Sequence, residues 1–441
     1  MPDFQKDILR FIRVTYGGEV IHEAWWEFML WDEDEPQFDV DSPHVPLFIR
    51  WFLHSWAPDP EESFVSDPAL IGVKPTEAYL ADSSRRIDPF LRSYLESCMR
   101  SPFSFYEILE CDPGLGFRVR DVMTSAEFDV VEHSASLSLE ARQLIFGQLA
   151  EVGDTVMLEA CPSMALPPEE KIPVIRLRED IREETPDGAV MPDLYAFDLR
   201  ALYLDISRRL LDPLPPQLRN TDGDPIELQH IMYEVESARA AFDALKHLAL
   251  DEHTTEGDLL SEAEYAPDGA LQHVAFGWVR ESQSGFPGPS STLIAYIDID
   301  GTRLTLEVNS VRRAQLVRET VEAAFGGKAV HRATGSHSTE ELWRKARESD
   351  APEPCPETEA LNDLPEVQAA LDNLLASHYE NWVTMPIPAL GNRTPMEAVQ
   401  TDDGREMVEV LVNGMEDPPR GRPRVSRTVI ERLRERLGLE R

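Results

Sequence analysis

The stretch Ser291–Ser310, STLIAYIDIDGTRLTLEVNS, carries the clearest hairpin signal in the 441-residue chain. Alternating apolar and polar residues run up to Asp300-Gly301, a dipeptide that favours a two-residue β-turn, and continue beyond it. With the turn at this dipeptide, Asp298 opposes Arg303, and an ion pair accounts for the carboxylate without a metal. The residues that then share the apolar face are Ala295, Ile297, Leu304 and Leu306.

The residues around this hairpin alternate between strand-like and helix-like patterns. Downstream, Ser310 is placed to cap a helix, apolar residues follow at helical spacing, and Gly326 is placed to end it. His331 and His337 beyond it show no metal-ligand spacing, so that stretch is predicted to be a solvated loop. The region 213–336 is therefore predicted to form an α+β sandwich.

A second region, 103–170, consists of short, alternating, aromatic-rich runs between turn residues. These runs are SFYEILECDPGLGFRVRDVMTSAEFDVVEHSAS at 104–136 and RQLIFGQLAEVGDTVMLEACPSMALPP at 142–168. Several short strands packed into so few residues predict a small antiparallel β-barrel of the SH3 or OB type.

The rest of the chain shows the three- and four-residue apolar spacing of helices. The Gly17-Gly18 pair separates the first two, and a helix predicted at 190–212 is closed by PLPP. We therefore predict a multidomain α+β protein. Its segments are a helical N-terminal domain (1–102), a small antiparallel β-barrel (103–170), a connecting helix (171–212), an α+β sandwich domain (213–336) and a helical C-terminal domain with a basic tail (337–441).

The net charge of −39, with 81 acidic residues against 42 lysines and arginines, disfavours electrostatic binding to nucleic acid or anionic lipid. The C-terminal tail departs from this acidity. Its stretch PRGRP at 419–423 matches the core of an AT-hook, which lies in a DNA minor groove. Arg420, Arg422 and Arg424 are thus the candidate nucleic-acid contacts in one alternative function, which would also use the barrel. A rigid basic connector explains the same residues without DNA.

No stretch of the sequence matches a catalytic, cofactor or metal motif. The HE pair that begins at His22 lacks the second histidine of a zinc protease, because Trp26 stands at that position. The four cysteines form no CxxC pair, so neither a disulfide framework nor a cysteine zinc site is indicated. With no such motif in the sequence, no cofactor and no metal are expected. A second alternative is a hydrolase whose site is assembled in the fold from scattered carboxylates and histidines, such as Asp222, Asp224 and His230.

Five stretches follow one another along the chain: FMLWDEDEP with VPLFIRWFLHSW, SPFSFYEILECDPGLGFRVRDVMTSAEFDVVEHSAS, LRNTDGDPIE, RLTLEVNSVRRAQLVRETVEAAFGG and WVTMPIPALGNRTPMEAVQTDDGREMVEVLV. Together they resemble a poorly characterised bacterial family related to SEC-C-motif proteins. The SEC-C motif itself, a cysteine-rich zinc knuckle of the form CxCxSGxxxxxC(C/H), is absent from this sequence. The zinc that the family name implies is therefore not expected here.

The stretch Pro388–Val412, which contains LGNRTP at 390–395, resembles the toxin-binding segment of Xre/ParS-type antitoxins, in which a similar turn precedes two short helices. The resemblance implies that a protein partner binds here, helped by the expected exposure of Trp382, Met385 and Met396. The candidate partner-binding residues are Trp382, Met385, Leu390, Thr394 and Met396.

The chain also lacks the signals of a membrane or exported protein. No apolar run reaches the length of about 20 residues that spans a bilayer, and the N-terminus lacks the order of a signal peptide. The leading prediction is a non-enzymatic, cytoplasmic binding or regulatory protein with a protein partner and no cofactor.

Overall fold

The computed structural model describes residues 2–30, 38–61, 63–185, 188–213, 215, 217–250, 254–281, 291–348, 379, 381–416 and 425–439. The chain divides into two compact units, one formed by Met1–Asp212 with Pro365–Arg441 and the other by Pro213–Leu364. Both units combine helices with strands, which confirms the α+β class. The five-segment division stays a prediction, but the C-terminal helices belong to the same compact unit as the barrel.

The helices in chain order are α1 (Pro2–Thr15), α2 (Val20–Met29), α3 (Val45–His54), α4 (Pro75–Ala81), α5 (Pro89–Arg100), α6 (Lys171–Glu184), α7 (Ala196–Leu211), α8 (Ala238–Leu245), α9 (Glu256–Leu259), α10 (Val311–Phe325), α11 (Thr339–Glu348), α12 (Pro395–Ala398), α13 (Asp402–Glu416) and α14 (Arg427–Leu437). The strands are β1 (Phe103–Asp112), β2 (Gly116–Asp121), β3 (Glu127–Val131), β4 (Leu144–Val152), β5 (Thr155–Ala160), β6 (Glu227–Glu234), β7 (Glu264–Tyr265), β8 (Leu271–Glu281), β9 (Ser291–Asp300), β10 (Arg303–Val308) and β11 (Val330–Ser338). None of the described helices is long and apolar enough to cross a membrane.

The N-terminal helices of the first unit bury an aromatic face. Gly17, with φ of +101°, separates α1 from α2, as the Gly-Gly pair predicts. Trp25 of α2 packs edge-on against Phe48 of α3, with ring centroids 4.9 Å apart. Helices α3, α4 and α5 each carry proline in the first turn, where its fixed φ fits and its missing N–H costs nothing. Because α5 contacts β4 and α3 contacts β5, this helical layer is joined directly to the barrel.

The strands β1 to β5 close into a barrel in the order β1-β2-β3-β5-β4, which confirms the small barrel predicted from the sequence. One pair, β3 with β5, runs parallel, because five strands cannot alternate in direction all the way round a closed ring. The strands approach closely at Gly116 and Gly147, where a Cβ atom would stand 2.1 and 2.3 Å from a neighbouring carbonyl oxygen. A side chain at either position would force the strands apart.

Helix α6 was not predicted as a helix of its own. The helix predicted at 190–212 is α7, which follows a single 3₁₀ turn at Pro192–Tyr195, and α6 precedes both. The buried apolar residues of α6 are Ile172, Val174, Ile175 and Ile181. Charged residues outnumber them, and Pro173 stands in the first turn, so the apolar period is hidden in the sequence.

The second unit is a six-stranded antiparallel sheet in the order β11-β6-β10-β9-β8-β7. Helices α8 and α10 cover one face, and their residues Phe242 and Val317 are buried with the apolar residues of the strands. Ser310 caps α10 through its side chain, and Gly326, with φ of +57°, ends it, so both predicted helix ends are confirmed.

The β9–β10 hairpin turns one residue later than the sequence predicts. Asp300 pairs with Arg303, which leaves Gly301 and the next residue as the turn, and the φ of Gly301 is +61°. The predicted pair of Asp298 with Arg303 is wrong: Arg303 lies 2.7 Å from the Asp300 carboxylate, and Asp298 lies 3.0 Å from the His273 ring. The predicted apolar face is confirmed, because this shift leaves every residue on its own side of the sheet.

The stretch from His331 to His337, predicted as a solvated loop, lies in the edge strand β11, which pairs with β6. The loop prediction is therefore wrong. The strand was not recognised because most residues of β11, including His331, are exposed. The strand therefore lacks the apolar alternation by which strands are recognised in a sequence.

Candidate partner-binding module

The module formed by residues 381–416 begins with a tight turn. Ile387 donates its N–H to the carbonyl oxygen of Arg393 at 3.0 Å, and between them Gly391 and Asn392 both have positive φ angles. Leu390 is fully buried and anchors the turn to the core of the first unit. The turn predicted from LGNRTP is therefore confirmed.

The turn leads into α12 through a reciprocal cap. The Thr394 hydroxyl accepts a hydrogen bond from the Glu397 N–H at 3.2 Å, and the Glu397 carboxylate accepts one from the Thr394 N–H at 2.8 Å. Pro395 occupies the first helical position, as predicted. The backbone N–H and the hydroxyl of Thr394 hold the pKa of Glu397 below its usual value, so the carboxylate caps the helix in its charged form.

The candidate partner-binding residues differ in exposure. Met385 is 37% exposed and Met396 is 40% exposed. The Met396 N–H donates to the Val383 carbonyl at 3.1 Å, which holds the two methionines on adjoining stretches of backbone. Trp382 is only 8% exposed, so its predicted exposure is wrong, and like Leu390 it packs into the core of the unit. We name the exposed area around Met385 and Met396 the methionine surface.

An ion-pair network joins α13 of the module to α6. The guanidinium of buried Arg178 lies 2.7 Å from the Asp403 carboxylate, and Arg182 lies at the same distance from that carboxylate. Buried Lys171 lies 2.7 Å from Glu406. Burial by itself raises the pKa of Glu406, but Lys171 and Arg178 outweigh burial and hold that pKa below its usual value. The network therefore remains ionised and fixes α13 against α6.

Helix α6 also holds the tight turn. Glu179 pairs with the guanidinium of Arg393 at 3.1 Å, and Arg176 donates to the Pro388 carbonyl. Sequence reasoning missed these contacts because it missed α6. The spacing of arginines four residues apart, at 178 and 182, was a signal of one charged helix face.

The residues of the two alternative functions are placed differently. Asp222 pairs with Arg313 at 2.8 Å, while His230 lies 3.2 Å from Glu307. Burial by itself raises the pKa of Asp222, but Arg313 and its neighbours lower it overall, so it is not the raised carboxylate of a general acid. Asp224 accepts a hydrogen bond from the side chain that caps α10. The nucleic-acid candidates, which lie outside the described residues, are Arg420, Arg422 and Arg424.

Three residues that no motif indicated bring metal-ligating atoms together. A nitrogen of His54, the sulfur of Cys98 and a carboxylate oxygen of Glu159 all lie within 4.8 Å of one another. They come from α3, α5 and β5, so their spacing along the chain carries no signal. The sequence therefore predicted no metal ligand here.

Comparison with known proteins bears on the C-terminal module. Residues 371–417 match the family model of the antitoxin Xre/MbcA/ParS C-terminal toxin-binding domain. The match confirms the resemblance stated for the C-terminal stretch. The comparison with curated proteins and that with solved structures gave no significant match. We call residues 371–417 the antitoxin-like domain.

The sides of the antitoxin-like domain, in its described part, have different surroundings. The buried residues of α13 include Met407, Val408 and Val412, which join the core of the first unit. Asp403 at the start of the same helix faces the arginines of α6. The methionine surface, by contrast, has apolar side chains open to solvent.

Proposed function

We propose that this chain is a non-enzymatic binding protein whose antitoxin-like domain binds a protein of the toxin class through the methionine surface. The match of residues 371–417 to a toxin-binding domain carries the proposal. The SEC-C relationship stays a prediction, and so does the cytoplasmic location, which suits a protein with an antitoxin-like domain.

The geometry of the methionine surface supports binding. Methionine is enriched in protein interfaces, because its flexible, polarisable side chain adapts to the shape of a partner. Met385 and Met396 are exposed, but the backbone beneath them is held by the Met396–Val383 hydrogen bond and by the reciprocal cap of α12. A partner therefore meets a preformed backbone and adjustable side chains, which reduces the entropy lost on binding.

The charge of the chain indicates which charged residues should border the apolar patch of the partner. With a net charge of −39, the chain attracts a basic protein and repels another acidic one over long distances. Exposed Glu397, next to Met396, adds negative charge at the methionine surface itself. The expected partner presents an apolar patch bordered by lysine or arginine.

The experiment is recovery of the partner with the tagged full-length chain from its own cells, after nuclease treatment, measured by quantitative mass spectrometry. A double variant, Met385→Asp with Met396→Asp, places charge on the methionine surface and is expected to lower recovery of the partner about tenfold or more. The matched control places aspartate at two still more exposed leucines of the same unit, Leu115 and Leu137, and should leave recovery unchanged.

Two outcomes would contradict the proposal. Equal recovery by the methionine variant and the wild type would mean that the partner binds elsewhere. Equal loss in the methionine and leucine variants would mean that added charge, not the methionine surface, determines recovery. Circular dichroism of each variant establishes that the fold is intact before recovery is compared.

A further inference from the structure

The side chains of His54, Cys98 and Glu159 meet in the interior of the first unit. His54 ends α3, Cys98 lies near the end of α5, and Glu159 lies in β5. His54 and Cys98 are fully buried, and the Glu159 side chain is nearly so. The three offer a nitrogen, a sulfur and an oxygen within 4.8 Å of one another, a donor set that zinc accepts.

The His54 ring is oriented at one nitrogen and has no hydrogen bond at the other. Its Nδ1 lies 3.0 Å from the hydroxyl oxygen of buried Thr76. Its Nε2 is buried without a hydrogen-bond partner and lies 3.8 Å from Oε1 of Glu159. Buried polar atoms are almost always paired, so this nitrogen requires an explanation. Metal-binding histidines have this arrangement: one ring nitrogen donates to a neighbouring oxygen, and the other holds the metal.

Glu159 is held by two further residues. Tyr94 donates its hydroxyl to Oε2, and Nε of Arg50 lies 3.0 Å from Oε1. The ion pair with Arg50 explains why a carboxylate is buried here, but it leaves Nε2 of His54 without a hydrogen bond. Carboxylates that bind metals are themselves fixed by hydrogen bonds, as Tyr94 fixes Oε2 of Glu159, while Oε1 is buried without a hydrogen bond.

We propose that His54, Cys98 and Glu159 bind one Zn²⁺ ion through Nε2, Sγ and Oε1, with a fourth position left for water. Zinc lies about 2.0 to 2.3 Å from such atoms, which places the ligand atoms roughly 3.5 Å apart, so the side chains draw together on binding. The Cys98 thiol gives up its proton to become the thiolate ligand, and the proton leaves to solvent. The bound ion satisfies the unpartnered nitrogen.

The test uses full-length protein that has been stripped of metal with a chelator and then titrated with Co²⁺, which reports a thiolate ligand by a charge-transfer absorption band. The wild type should bind one Co²⁺ per chain with this band, and Zn²⁺ should displace the cobalt. Cys98→Ser should lose the band and weaken Zn²⁺ binding about tenfold or more. Cys111→Ser, the same change at a free cysteine outside the cluster, should keep both.

Stability measurements separate lost binding from a lost fold. Circular dichroism establishes that each variant is folded, and Zn²⁺ should raise the Tm of the wild type and of Cys111→Ser but not of Cys98→Ser. A folded wild type that binds no Co²⁺, or a folded Cys98→Ser variant with an undiminished band, would overturn the proposal.

Discussion

Arg178 and Asp403 are 225 positions apart in the chain, yet the guanidinium of one lies 2.7 Å from the carboxylate of the other. Arg178 belongs to α6, and Asp403 lies in the first turn of α13. The pair therefore fastens the antitoxin-like domain to the helix that follows the barrel. Because α13 also shares the apolar core of the first unit, the stability of that unit determines how the methionine surface is presented.

Replacing Arg178 with alanine is expected to lower the free energy of unfolding of the first unit by about 3 kcal/mol, because Asp403 and Glu406 lose their shared buried partner. Urea unfolding of the full chain measures the change. Arg427→Ala removes an exposed pair with Glu431 and should cost about 0.5 kcal/mol or less. Similar losses for the two variants would show that the buried network is not what stabilises this contact.

Two glycines of α13 should respond in opposite directions to alanine. A Cβ at Gly404 would stand 2.1 Å from the carbonyl oxygen of Ala398, whereas one at Gly414 would meet nothing within 4 Å. Gly404→Ala should therefore destabilise the unit by about 2 kcal/mol through overpacking. Gly414→Ala should stabilise it by about 0.5 to 1 kcal/mol, because alanine loses less backbone entropy in a helix. Thermal unfolding checks both, and shifts of the same sign would contradict the steric argument.

Features that depend on residues close in sequence could be predicted. The ends of α10 at Ser310 and Gly326 and the cap at Thr394 follow from local hydrogen bonding and backbone conformation, which neighbouring residues determine. The apolar face of the β9–β10 hairpin could also be predicted, although its turn could not. The side-chain period of a strand is robust, whereas two adjacent turn positions can both accommodate a glycine such as Gly301.

Features that depend on distant residues could not be predicted. Burial of Trp382 requires knowing that the C-terminal helices share a core with the N-terminal ones, and no local pattern carries that information. The cluster of His54, Cys98 and Glu159 forms only when two helices meet a strand of the barrel. The exposed edge strand β11 could not be predicted for a different reason. Because it lacks a buried face, its sequence has no apolar period.

The cap of α12 should contribute to both stability and partner binding. Thr394→Ala removes the hydroxyl that accepts from Glu397 and should cost about 1 kcal/mol. Thr394→Ser keeps a hydroxyl and should restore most of this loss. If the cap fixes the backbone beside Met396, recovery of the partner should fall in the alanine variant and return in the serine variant. A serine variant as impaired as alanine would mean that the methyl group, not the hydroxyl, matters.

His44 should make the stability of the first unit depend on pH. It is buried, with Nδ1 2.8 Å from the Tyr203 hydroxyl, and burial lowers the pKa of His44 below its usual value of 6.5. The unfolded chain therefore binds a proton here at a pH at which the folded chain does not. The contribution of His44 to stability is complete above the unfolded pKa and is lost as the pH falls below it.

The free energy of unfolding should consequently fall less for His44→Gln than for the wild type when the pH is lowered from about 7.5 to about 5.5, across the unfolded pKa. Urea unfolding at both pH values measures this difference. Tyr203→Phe removes the hydrogen-bond partner but keeps the buried histidine, so it should retain the pH dependence of the wild type, because burial is the cause of the shift. An identical pH dependence for His44→Gln and the wild type would show that His44 is protonated in the folded protein as readily as in the unfolded chain.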